Sequence, residues 1–254
     1  NRMVKKLITD AAENGFKGFY YLYQPVLEMK TGRLHCCEAT LFWGNEDMTV
    51  PRSRFLPIID QLGYSRQLYR FACDKICSFC ASVREQGYPE FRVSFKMPEN
   101  ILNSEISVDV LQSTLLEYSL PPSAISISVT EAEGTLTSGG IYLQALSRMG
   151  MNIIADDTGM GYFTDAPLSN ASVKTVKIRA DRFSGDSVSS GFVRSLIKKA
   201  HSKGIAVCAK DVDSPSDLTA IGGSEIDLIE GIFNGRPLRD HEFIERMSEG
   251  LGAG

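Results

Sequence analysis

The chain has 254 residues, 27 of them basic and 31 acidic, for a formal net charge of -4. That length suits one barrel-sized domain with a large core, and the even mixing of charge gives no field that would favour DNA, RNA or an anionic membrane; a small anionic ligand answers to a local site and is not excluded. No apolar run approaches the roughly 20 residues that span a bilayer, and no signal-peptide pattern opens the chain, so the segment is not expected to insert in a membrane and reads as cytoplasmic.

In chain order, "MVKKLITDAAENGF" reads as an amphipathic lead-in helix. Residues 1–18 are assigned to a lead-in or linker, 19–248 to the main domain and 249–254 to a C-terminal tail. The opening on Asn1 and the close on "EGLGAG" suggest a piece of a longer protein. Strands are expected at "FYYLYQPVLEM", "LHCCEATLFW", "FRVSFK", "AISISVTE", "MNIIADD", "TVKI", "IAVCAKDV" and "IDLIEG". Helices fit between most of them, at "SRQLYRFACDKICSFCASVREQG", "SEISVDVLQSTLLEYS", "SGGIYLQALSRMG", "SGFVRSLIKKAHSKG" and "SPSDLTAIGG". The first two strands are joined by "KTGR", a hairpin turn. Near-continuous apolar runs such as "AISIS" and "NIIA" are what strands covered on both faces look like.

The six cysteines make no disulfide scaffold in a chain this large. Cys73, Cys77 and Cys80 recur at spacings of four and three, which puts them on one helix face; a buried face is the expected reading and a thiolate metal site the alternative.

Eight strands alternating with helices argue for a (β/α) barrel, or else an open doubly wound sheet. In a barrel the chemistry gathers at the C-terminal ends of the strands. Those ends offer Glu38, Ser94 and Lys96, Ser128 and Glu131, Asp156 and Asp157, Lys177 and Arg179, Lys210 and Asp213, and Glu230. Adjacent carboxylates repel, so Asp156 and Asp157 call for positive partners. Glu38 with the Asp pair could supply oxygen ligands to divalent cations.

At these residues the chain resembles the EAL domain of bacterial cyclic di-GMP phosphodiesterases, over nearly its whole length. "YQPVLEMKTGRLHCCEATLFW" is similar to the family's "QP…KTG…EALLRW", "ADDTGMGY" to "DDFGTGYSSL", "TVKI" to "LKID", "AKDVDSPSDL" to "AEGVET…Q…L" and "IEGIFNGRPL" to "QGYLFSRPL". The resemblance implies an α/β fold, a modified (β/α)8 TIM-type barrel with one antiparallel strand. It also implies a place in bacterial signalling, as part of a longer protein.

What the resemblance implies for activity turns on the departures. Glu38, Asp156 and Asp157 match metal-binding positions and Lys177 matches the family's catalytic lysine. Ser94 stands for a ligand Asn, Ser128 for a ligand Glu, Arg179 for the Asp of "LKID", Glu230 for the Gln of "QG", and Lys210 for the water-activating Glu; Asp213 replaces the second Glu of "AEGVE". Five carboxylates against three cations leave a formal net of about -2 where the family carries about -6. At most one Mg²⁺ or Mn²⁺ is then expected and a two-metal site is not.

Lys210 and Arg179 are expected to be the cations that neutralise Asp156 and Asp157, and no catalytic set is expected intact. Ligand positions are kept at Gln24, Leu41 and Arg236, whereas the phosphate-facing Arg of "LLRW" is Phe42. Thr158 and Met160 replace the Phe and Thr of the "DDFGTG" loop, and Gly159 and Gly161 are assigned to its turn. The expectation is a degenerate EAL domain without cyclic di-GMP hydrolysis, acting as a regulatory cyclic di-GMP receptor or a protein-interaction module, with a homodimer or a protein partner as its assembly. The alternative is a slow metal-dependent cyclic di-GMP phosphodiesterase.

Overall fold

A computed structural model describes residues 2–44, 49–130, 140–158, 172–184 and 187–251. The strands are β1 (Phe19–Glu28), β2 (Leu34–Gly44), β3 (Thr49–Val50), β4 (Val93–Lys96), β5 (Ile125–Thr130), β6 (Asn152–Asp156), β7 (Val173–Arg179), β8 (Ala206–Lys210) and β9 (Leu228–Glu230). They pair in the order β1-β9-β8-β7-β6-β5-β4-β2-β3, and β1 also pairs with β2, so eight strands close on themselves and β3 is a short appendage to β2. Pairing is parallel from β2 through β4 to β9, while β1 runs antiparallel to both of its neighbours. This is the mixed barrel with one reversed strand, and the open sheet is set aside.

The reversal follows from the connection. "KTGR" is too short for a crossover, so β2 can only fold back on β1, whereas each later strand is reached through a longer connection that lets it lie parallel. The helices are α1 (Arg2–Glu13), α2 (Arg52–Gln61), α3 (Ser65–Glu85), α4 (Glu99–Leu102), α5 (Ile106–Glu117), α6 (Ile141–Arg148), α7 (Ser187–Ser202), α8 (Pro215–Ile221) and α9 (Asp240–Ser248). Residues on α2 and α9 form helices that the periodicity reading leaves out. Pro57 inside α2 reads as a breaker, yet Phe55 and Ile59 are both buried, and that packing outweighs the missing backbone donor.

Strand alternation sorts the side chains. Cys37, Ala39 and Leu41 of β2 point outward under the helices, and Glu38 points into the barrel. On the outer side Tyr23, Phe79, Phe91 and Phe243 form one aromatic cluster that ties β1 to α3 and α9, with Tyr23 and Phe79 stacked at 3.7 Å. Cys73, Cys77 and Cys80 lie on the buried face of α3, where burial pushes the Cys73 and Cys80 thiols up to about 12 and holds them as small hydrophobes. The lead-in forms α1 and packs on the barrel, with Ile8, Ala11 and Phe16 in the same core. Leu251 packs against that core from the other end of the chain.

Candidate functional site

The mouth of the barrel collects the charged residues of five strands. Lys177 of β7, 3 % exposed, is ion-paired with Glu38 of β2 and with Glu230 of β9, the latter at 2.5 Å. Beside them Lys210 of β8 sits 2.8 Å from Asp156 Oδ1 and 2.8 Å from Asp157 Oδ1. Two buried or half-buried lysines thus each bridge two carboxylates.

Backbone geometry sets up the second bridge. Asp157 adopts φ +53°, a left-handed conformation that Asp tolerates better than bulky residues, so the chain turns just after β6 and aims both carboxylates at one amine. The turn is fixed by the Asp157 N–H donating to Asp156 Oδ1 at 2.9 Å, and by the Thr158 N–H donating to the Lys177 carbonyl at 3.0 Å. Gly231 fixes the other end: a Cβ there would lie 2.2 Å from the Val212 carbonyl oxygen, so only glycine lets β9 pass the turn after β8. That close approach brings Glu230 to Lys177.

The charge states follow. Burial opposes a charged Lys177, but Glu230 and Glu38 outweigh it and raise its pKa well above the ordinary value. Lys210 behaves alike: burial works against it, and Asp156 and Asp157 hold it protonated. Asp156, 5 % exposed, is disfavoured by burial yet lowered overall by Lys177 and Lys210. Glu230 is pushed up to about 7, by burial first and by the Glu38 charge, against the pull of Lys177.

Arg179 does not take the role expected of it. Its guanidinium pairs with Asp181 at 3.2 Å and Asp211 at 3.3 Å and feels Asp157 only through space, so among the described residues it is Lys210 that pairs directly with both Asp156 and Asp157. The reason is direction: β7 ends at Arg179, and the exposed side chain reaches sideways to the turn that carries Asp211.

Leu41 is likewise not brought to the mouth. Three residues from Glu38, it falls on the opposite face of β2, 5 % exposed among Tyr21, Leu56 and Tyr69. Gln24 lies opposite Glu38 inside the barrel, with its amide donating to the Gly231 and Gly235 carbonyls at 3.2 and 2.6 Å. Arg236 is 64 % exposed and paired with Glu242 at 2.8 Å. Asp213 accepts from the Ile232 N–H at 2.9 Å, which commits it to the turn after β9. Glu131, Gly159, Met160 and Gly161 lie outside the described residues.

Two positions that the resemblance assigns to metal ligands carry hydroxyls here. Ser94 donates to the Cys37 carbonyl at 3.3 Å, and Ser128, fully buried, has an Oγ with no partner among the described residues. Both are short hydroxyls where the resemblance places an amide and a carboxylate, and Lys210 occupies the carboxylate pair itself. Among the described residues no three carboxylate, imidazole or thiolate groups are arranged to hold a metal ion.

Two groups at the mouth escape a strand-end reading. Phe42, in the place of the family's arginine, stacks on Tyr20 with ring centroids 5.8 Å apart and planes 18° apart, and the Arg239 guanidinium lies 3.3 Å from the Tyr20 ring centroid. Arg239 comes from just ahead of α9 and no local spacing announces it. No helix among the described residues is long and apolar enough to cross a membrane.

Comparison with known proteins agrees with the geometry. The EAL domain family matches residues 8–237. The chain is 25% identical over 225 residues to the biofilm architecture maintenance protein MbaA of Vibrio cholerae, covering 87% of this chain and 28% of that protein. It is 25% identical over 225 residues to the cyclic di-GMP phosphodiesterase PdeF of Escherichia coli, covering 86% of this chain and 30% of that protein.

Among solved structures it is similar to a MucR phosphodiesterase in complex with c-di-GMP, at TM-score 0.84 and 21% identity, covering 95% of this chain and 99% of that one. It is also similar to the FimX EAL domain of Pseudomonas aeruginosa bound to c-di-GMP, at TM-score 0.77 and 20% identity, covering 92% and 96%. The chain spans about a third of the length of the curated relatives it matches, 28% to 34% for the first five. Closed mixed barrel, strand-end carboxylates and family match together place the chain in the EAL domain family.

Proposed function

We propose that this domain is a degenerate member of its family, without cyclic di-GMP hydrolysis, which serves bacterial signalling as a regulatory cyclic di-GMP receptor or as a protein-interaction module. The observation that carries the reading is Lys210, whose amine lies 2.8 Å from both Asp156 and Asp157. A fixed protein cation there neutralises the carboxylates that a metal ion would need. The same lysine stands where the family's water-activating carboxylate would be, and as a protonated amine it has no lone pair to accept a proton.

Lys177 supports the reading from the other side, since Glu38 and Glu230 already hold it. The names of PdeF and the MucR structure link that barrel to cyclic di-GMP, and the FimX domain is described as binding it, so the same ligand class is proposed for this mouth.

The competing reading is a slow metal-dependent phosphodiesterase using one Mg²⁺ or Mn²⁺. It is favoured by Glu230, whose carboxyl is raised above the ordinary carboxylate range by burial and by the Glu38 charge, the direction a general base needs. Calorimetric titration of cyclic di-GMP in Mg²⁺ and again in EDTA separates the two. Binding of equal strength in both buffers is expected; binding only with metal, together with linear product at high enzyme concentration, would return the domain to the hydrolases. Heat in neither buffer would leave the protein-interaction reading in place of the receptor.

A further inference from the structure

The opposite end of the barrel holds a second chamber, apolar-walled with polar groups among its lining. A cavity of about 170 Å³ opens between the N-terminal ends of the strands, below Lys177. Its walls are apolar, with Val26, Ile154 and Leu228 beside the Cys36 and Cys208 thiols. Its rim carries two further cations, Arg92 just ahead of β4 and Lys174 on β7.

No carboxylate lines this cavity among the described residues. Glu28 lies beyond His35, in neighbouring cavities, and accepts from the Thr31 hydroxyl at 2.7 Å. Among the described residues the polar side-chain contact of Arg92 is with the His35 imidazole, Nη2 lying 3.5 Å from Nδ1 and 3.4 Å from Nε2, a side-on contact that brings no negative charge. His35 itself stays neutral, its pKa held down at about 4 by burial and by Arg92. Three polar side chains, Ser126, Asn152 and Thr175, also line the cavity, and none has a side-chain hydrogen bond to another described residue. A half-buried guanidinium without a carboxylate, beside donors with no side-chain partner among the described residues, is one that an anion would complete, and the exposed Lys174 at the rim adds a second positive charge.

We propose that the barrel floor is a binding site for a small oxyanion of phosphate size. Arg92 offers a guanidinium fork for two oxygens, Lys174 a point charge at the rim, and the Ser126 and Thr175 hydroxyls with the Asn152 amide donate to the remaining oxygens. Lys177, whose amine is held by Glu38 and Glu230, closes the cavity from above, and the charge offered to the anion comes from Arg92 and Lys174. The same chemistry would accept inorganic phosphate or the terminal group of a small phosphomonoester.

The test is calorimetric titration of inorganic phosphate into the purified chain at fixed ionic strength, with chloride as control. Saturable one-site binding is expected, weakened at least tenfold by Lys174→Glu and by Arg92→Gln, with phosphate raising the melting temperature of the parent chain and not of the variants. Lys174 is exposed, so its variant tests the site even if the Arg92 variant fails to fold. A parallel titration with methyl phosphate tells the two sources apart: whichever binds tighter names the source, and either supports the site. Absence of saturable binding, or binding that Lys174→Glu leaves unchanged, would overturn the proposal, the latter by placing the anion at the mouth.

Discussion

The two ends of this barrel hold similar cations and treat them differently. At the mouth Lys177 and Lys210 are each shared between two carboxylates, so the charges are spent on one another. At the floor Arg92 meets a neutral imidazole and Lys174 meets no described acid. The lesson is that a lysine or arginine inside a barrel says little by itself. A cation already held between carboxylates is committed to the protein's own charges, and removing it strands them, whereas one without a carboxylate is available to a ligand.

The largest effect is expected from removing the saturated cation. Lys177→Met should destabilise the chain by about 3–5 kcal/mol in urea unfolding, because Glu38 and Glu230 are then left buried against each other. A loss below about 1 kcal/mol would mean that the pair is wetter than the geometry shows.

Lys210→Gln should cost less, about 1–3 kcal/mol, since its site is nearer solvent. It should also free Asp156 and Asp157, so that Mn²⁺ affinity measured by calorimetry rises at least tenfold over the parent chain. Unchanged metal affinity would show that Lys210 is not what keeps ions out.

At the floor the contrast is one of pH. His35 has a folded value of about 4 against an ordinary value of 6.5, so between those limits the unfolded chain binds a proton that the folded chain refuses. The contribution is complete above about pH 6.5 and is lost as pH falls toward 4, which makes stability rise with pH across that window. His35→Gln should flatten that part of the stability profile; a slope of the same size in the variant would assign it to other groups.

The smallest effect is expected at Arg236. Its pair with Glu242 is largely exposed, and Arg236→Ala should change unfolding free energy by no more than about 0.5 kcal/mol. If the mouth takes cyclic di-GMP, the same variant should weaken that binding with little change in melting temperature.

Much of the barrel was legible along the chain, because its signals are local. The "KTGR" turn forces β2 back on β1, and apolar runs ending in polar residues mark strand tips. Asp156, Lys210 and Glu230 could be singled out because each closes such a run, and Glu38 and Lys177 because each interrupts one with a charge. Leu41 shows a local rule passed over: an odd offset from Glu38 already puts it on the other face of the strand. Helix α2 was hidden by Pro57, and α9 shows its buried side only as Phe243 and Met247 four residues apart.

Pairing was not legible in the same way. Side-chain alternation and the succession of strands are written residue by residue, so the gathering of carboxylates and amines at the strand ends could be read along the chain. Which amine meets which acid could not, because that depends on how the closed barrel sets the strands against one another. Lys210 rather than Arg179 takes the Asp pair because a left-handed Asp157 and the direction of β7 set the last few ångströms. The tertiary structure also places Arg92, His35 and Lys174, scattered over more than a hundred residues, on one floor. Contacts of that range depend on how the sheet closes, and no spacing within a single strand encodes them.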